Sequence, residues 1–142
     1  MCSLLGGIAL ANAKLGAVHG LAGVIGGTAP VPHGAACAAL LAPVIEANVR
    51  ALRSGSAGHP ALDRYAEVAR LLTAQPAATI DEGLAWIRET VSLLAIPGLG
   101  HFGLRAQDAD DIAVKAAGSS SMQGNPAALS HDDLRAILLG AL

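Results

Sequence analysis

The sequence predicts an all-α fold, a bundle-like arrangement of about six helices, on three observations. Apolar residues recur at helical spacing along most of the chain, most cleanly at Ile80, Leu84, Ile87, Val91 and Leu94. Helix-start signals stand ahead of such stripes: Pro60, Thr79 with Glu82, and Ser130 with Asp133. No segment alternates apolar and polar residues for long enough to make a strand.

In chain order, residues 3 to 18 read as a first helix with Leu4, Leu5, Ile8 and Leu15 near one stripe, ending around His19-Gly20. Gly26-Gly27 and Pro30-Val31-Pro32 then break regular structure. A second helix runs from about His33 to Leu52 and is almost wholly apolar through Ile45, which makes it central. Pro43 is expected to kink or split it, because proline removes a backbone donor and crowds the preceding turn. Ser54 to Gly58 reads as a loop. The third helix spans roughly 60 to 73 with Leu62, Tyr65, Val68, Ala69 and Leu72 inward, and Thr79 opens the fourth, which Pro97-Gly98 stops. After a loop over 98 to 106, Asp108 is expected to cap a fifth helix to about Ala117. Ser119 to Pro126 is irregular, and Ser130 starts the last helix.

The chain of 142 residues fits one all-helical domain, 1–142. It is 53% apolar and only 14% charged, so a partner chain or further copies are expected to cover part of its surface. A net charge of −2, with basic residues scattered and aromatics sparse, argues against nucleic-acid binding. Cys2 and Cys37 are too few for a disulfide framework and lack metal-type spacing, so they read as reduced thiols of a cytoplasmic protein, Cys37 in a helix core. Ala11-Asn12-Ala13 after an apolar run imitates a leader-peptide cleavage site, but no Lys or Arg precedes Lys14, so export is rejected. No uninterrupted apolar run approaches the ~18 residues that span a bilayer, and no membrane association is expected.

Chemistry concentrates in the glycine-rich stretch from Gly16 to Gly34, which sets His19 and His33 near its ends. Of the other histidines, His59 and His131 read as solvated at helix starts, and His101 lies in a loop beside Phe102. An imidazole among apolar helices needs partners for both ring nitrogens, which hydrogen bonds or a metal can supply. The residues alone leave both open and favour hydrogen bonding, since two histidines do not complete a site and the candidate third ligands, Glu46 and Asp63, have no evident approach to them. None of the motifs GxxxxGK[ST], GxSxG, CxxC or HExxH occurs.

Taken together and in order, ALANAKLGAVHGLAG, PVPHG, PVIEANV, IPGLGHFGL, SSSMQGNPAALS and DDLRAILLGAL resemble the iron-containing (group III) alcohol dehydrogenase family along essentially the whole chain. The resemblance implies the C-terminal helical domain of the dehydroquinate-synthase-like fold, facing a dinucleotide-binding domain across a cleft. It implies a divalent metal, as a rule iron and in some members zinc, held by one aspartate and three histidines. Two of those histidines fall on His19 and His33. It further implies NAD or NADP, a small alcohol or aldehyde substrate, and hydride transfer between them. The match covers roughly the last third of a typical member, so the nucleotide-binding domain, the aspartate and one metal histidine lie outside the matched part, and the chain reads as truncated relative to the family and inactive alone. Gly23 stands where many relatives carry a further histidine, and Gln123 replaces the commoner lysine of SSMKGNP. Two alternatives stand beside this reading: a non-catalytic helical fragment or interaction module, and a segment of a maleylacetate-reductase-like enzyme.

Overall fold

The computed structural model describes the backbone of residues 1–55 and 58–142 and the side chains of these apart from Cys2 and Ser3. Among the described residues seven α-helices follow one another: α1 Cys2–Asn12, α2 Ala17–Thr28, α3 His33–Gly55, α4 Pro60–Thr73, α5 Ile80–Leu93, α6 Ala109–Ala117 and α7 His131–Gly140. Short 3₁₀ turns occupy Leu99–Phe102, Ala106–Asp108 and Ser120–Gly124, and no strand occurs among the described residues. The all-α expectation is met. The number of helices exceeds it by one, because the first predicted helix ends at Asn12 and a further helix forms in the glycine-rich stretch where breaks were expected.

That break has a physical cause outside the local sequence. α1 ends at Asn12, whose side-chain amide donates to the Ile8 carbonyl, and Ala13 turns extended. α2 starts three residues after Lys14, at 104° to α1. Gly16 precedes it with no capping side chain of its own, so the first N–H groups of α2 need an outside acceptor. Asn125 supplies one: its Oδ1 accepts from the Ala17 N–H at 3.1 Å. The glycine-rich stretch thus forms a helix where breaks were expected. Ala17, Gly20, Leu21, Ala22 and Ile25 make its buried face.

α3 runs unbroken through Pro43 for 23 residues, so the proline neither splits nor ends it. Proline in a helix interior costs about 3 kcal/mol, and the buried side chains around it (Leu40, Ala42, Val44 and Ala47) offset that. Ser54 and Gly55, expected in a loop, extend the helix, and Ser56 and Ala57 fall outside the described residues. By length and composition alone α3 could cross a bilayer. Here it is the core helix, packed against α2, α5 and α7.

The main core gathers Leu21, Ile25, Leu40, Leu99, Ile112, Leu134 and Leu138 from α2, α3, α6, α7 and the Leu99 turn. α4 and α5 pair with each other and dock on α3 through a smaller cluster of Ala42, Leu84 and Ile87. Gly83 lets that pair close up, since a Cβ there would meet Ala69. Both capping boxes form as expected, Thr79 with Glu82 and Ser130 with Asp133, and Pro60 opens α4.

Four expectations are corrected. Val68 and Leu94 face solvent, at 46% and 64% exposure. Asp108 precedes α6 without capping it, because its carboxylate turns back to accept from the Arg105 N–H. His59 is half-buried and caps α4, its Nδ1 accepting from the Ala61 N–H. Leu4, Leu5, Ile8 and Leu15, finally, do not form one packed stripe: the first three are more than half exposed on α1, and Leu15 lies beyond its end, half-buried.

Candidate metal site

The helix break brings the two singled-out histidines together. His19 lies in the first turn of α2 and His33 opens α3, so each ring hangs from a helix start whose position the core fixes. Their ring centroids are 5.5 Å apart, with planes tilted by 51°. Neither is a fully buried core histidine: His19 is half-buried and His33 exposed. Among the described residues no protein group hydrogen-bonds to the His19 ring, and the only such partner of His33 is the Cys37 thiol, with Sγ 3.5 Å from Nε2.

What the sequence did not show about Cys37 is its neighbours: half-buried, it packs against the main core and stands beside the histidines. One ligand atom from each of His19, His33 and Cys37 falls within 4.8 Å of the others. The signal was available, because His33 and Cys37 are four apart and residues at that spacing share a helix face. Burial pushes the Cys37 thiol above its usual pKa. The carboxylates weighed as third ligands lie elsewhere. Glu46 is paired with Arg88 at 2.5 Å, and Asp63 sits in the exposed first turn of α4.

The cluster borders a groove of about 690 Å³, walled on its apolar side by Val18, Leu41, Val44, Ile45 and Pro126. Its polar end is a network that also holds α2 in place. Buried Asn48 and Asn125 exchange hydrogen bonds, Nδ2 of Asn125 donating to Oδ1 of Asn48 at 2.6 Å and Nδ2 of Asn48 to Oδ1 of Asn125 at 3.2 Å. Asn48 Nδ2 also donates to the Tyr65 hydroxyl at 3.0 Å, and Asn125 Nδ2 to the Ala127 carbonyl at 2.8 Å. Burial raises the Tyr65 pKa, and the Asn48 amide partly opposes the rise.

The SSSMQGNP segment, read as irregular, is therefore what seats this end of the groove. Gly124 lies so close to the Leu15 carbonyl and the Lys14 side chain that a Cβ would overlap both. Gly23 lies one turn beyond His19 and faces open space, with no heavy atom within 4 Å of where a Cβ would stand. His101 packs edge-on against Phe102 and is exposed, and His131 is exposed near Asp110 and Asp132. Neither joins the site.

The helical packing thus converges two imidazoles and a thiol, donors that could hold a divalent cation, beside an apolar groove. The chain belongs to the Fe-containing alcohol dehydrogenase family, whose C-terminal model it matches over residues 1–142. It is 32% identical over 139 residues to alcohol dehydrogenase 4 of Schizosaccharomyces pombe, covering 97% of this chain and 31% of that protein. It is 28% identical over 141 residues to an NADPH-dependent butanol dehydrogenase of Clostridium saccharobutylicum, covering 94% of this chain and 34% of the other. Among solved structures it superposes on an alcohol dehydrogenase from Oenococcus oeni with a TM-score of 0.79 at 30% identity, covering 97% of this chain and 35% of that one. The chain thus spans about a third of the length of the relatives it matches. The family resemblance carried by the GAVHG, PHG and SSMQGNP motifs is borne out.

Proposed function

We propose that this chain forms the helical wall and half of the metal site of a nicotinamide-dependent alcohol dehydrogenase, with His19 and His33 as its two metal-facing residues. The observation that carries the reading is the meeting of these two imidazoles at 5.5 Å beside an apolar groove, in a member of this family. The donor set fits a divalent cation: both rings have nitrogens not taken by backbone groups, and neutral imidazole suits iron and zinc alike. When bound, such a cation would polarise a substrate oxygen and favour its alkoxide, so that hydride can pass to or from the nicotinamide.

What the chain's own residues do is hold and shield. Val18, Leu41, Val44 and Ile45 present hydrocarbon to the groove, which suits the carbon chain of a short alcohol or aldehyde and keeps water from it. Asn125 fixes the start of α2 against α3, and with it the separation of His19 from His33. The remaining ligands and the nicotinamide site belong, on this reading, to the other part of the architecture. The exposed apolar row of Leu4, Leu5, Ile8 and Leu10 is the surface expected to be covered in the assembled protein.

The test is complementation. Co-producing the chain with the complementary part of the Oenococcus oeni alcohol dehydrogenase should give metal-dependent, NAD(P)-linked oxidation of short alcohols. Turnover should fall at least a hundredfold, roughly 3 kcal/mol of transition-state stabilisation, in His19→Ala and His33→Ala. Leu5→Glu with Ile8→Glu should stop co-purification of the two parts. A stable complex without turnover would support the alternative of a non-catalytic helical module, and turnover indifferent to both histidines would remove them from the metal site.

A further inference from the structure

We propose that Cys37 is a third metal ligand, so that His19, His33 and Cys37 form a His₂Cys site for a borderline-soft divalent cation such as zinc or cobalt. The proposal deepens the preceding reading and rests on it in one respect, that the histidine pair faces a metal.

Geometry carries it. One donor atom from each of the three residues lies within 4.8 Å of the other two, a mutual closeness that a single thiol–imidazole hydrogen bond does not require of His19. Cys37 Sγ and His33 Nε2 are 3.5 Å apart. Tetrahedral zinc, with its usual bond lengths to sulfur and nitrogen, sets that edge at about 3.6 Å. The two donors stand four apart on the opening turns of α3, so a rigid helix presents them on one face, and the start of α2 delivers the third from across the groove.

The chemistry of the set differs from one of carboxylate and imidazoles alone. As the metal–sulfur bond forms, the thiol proton leaves to solvent and nothing is oxidised or reduced. A thiolate favours zinc and cobalt over hard cations such as magnesium, so this chain should select zinc more strongly than its two histidines would. In the chain by itself three ligands leave a fourth tetrahedral position open, which a ligand from the other part of the architecture would fill.

Cobalt(II) titration of the full 142-residue chain, under reducing conditions and in a Cys2→Ser background that leaves Cys37 the sole thiol, reads this directly. The expected result is a saturable near-ultraviolet thiolate-to-cobalt charge-transfer band that zinc bleaches and magnesium does not. It should vanish in both Cys37→Ser and Cys37→Ala, with the helical circular dichroism of each variant unchanged. His19→Ala and His33→Ala should weaken binding. Cobalt bound without the band, or a band that survives in folded Cys37 variants, overturns the proposal while leaving the histidine pair in place. No cobalt binding by the chain at all also overturns Cys37 as a third ligand, whereas the histidine pair still answers to turnover of the complemented enzyme.

Discussion

Asn125 ties three parts of this structure together with one side chain. Its carboxamide accepts from the Ala17 N–H and the Asn48 amide, and donates to the Asn48 side chain and the Ala127 carbonyl. One residue late in the chain therefore completes the N-terminus of α2, pins α3 and orders its own loop. Truncating it leaves a buried Asn48 amide and a helix-start N–H with fewer partners, and an orphaned buried polar group costs about 1–3 kcal/mol. Asn125→Ala should lower the stability of the chain by that amount, read as a drop in the urea midpoint at unchanged slope. A loss below about 0.5 kcal/mol would show that water replaces the bonds, and that Asn125 does not set the position of His19.

Among elements, the helices that the sequence located well are those whose ends are written locally. Pro60 opens α4, Thr79 and Glu82 close a capping box on α5, and Ser130 and Asp133 do the same for α7. The break between α1 and α2 was not legible for the opposite reason: the acceptor for the Ala17 N–H comes from Asn125, 108 positions away. Pro43 misled because a helix this central has burial enough to carry a missing hydrogen bond. The histidine pair was legible from its setting, but Cys37 was judged by cysteine count rather than by its distance of four from His33.

The locally written caps also carry a pH dependence. Hydrogen bonds from Ser130, and then from Arg50, hold the Asp133 carboxyl below its ordinary pKa of 3.8. A carboxylate depressed in the folded state contributes stability that is complete above the unfolded pKa and is lost as pH falls through the folded one. α7 should therefore loosen below about pH 3.8, and Asp133→Asn should remove that part of the acid transition followed by circular dichroism. An unchanged acid limb in Asp133→Asn would contradict the assignment. At neutral pH, Ser130→Ala should cost about 1 kcal/mol through the lost N-cap.

Across the whole molecule, the features that point to function lie on one side. His19, Cys37, the apolar groove and the Asn48–Tyr65–Asn125 network line a common surface, and α1 projects its apolar row outside the core. The ion pairs of Arg50 with Asp133 and Arg88 with Glu46 tie the other face of α3 to α7 and α5. On the proposed function, a chain that matches about a third of each relative's length would meet another surface across the groove. The central claim is that His19 and His33 hold a metal at that meeting. The most direct measurement is the metal content of the purified, complemented protein, determined by elemental mass spectrometry in the wild type and in His19→Ala and His33→Ala. Stoichiometric iron or zinc, falling to background in both folded variants, is the predicted result; full metal content retained in either would contradict it.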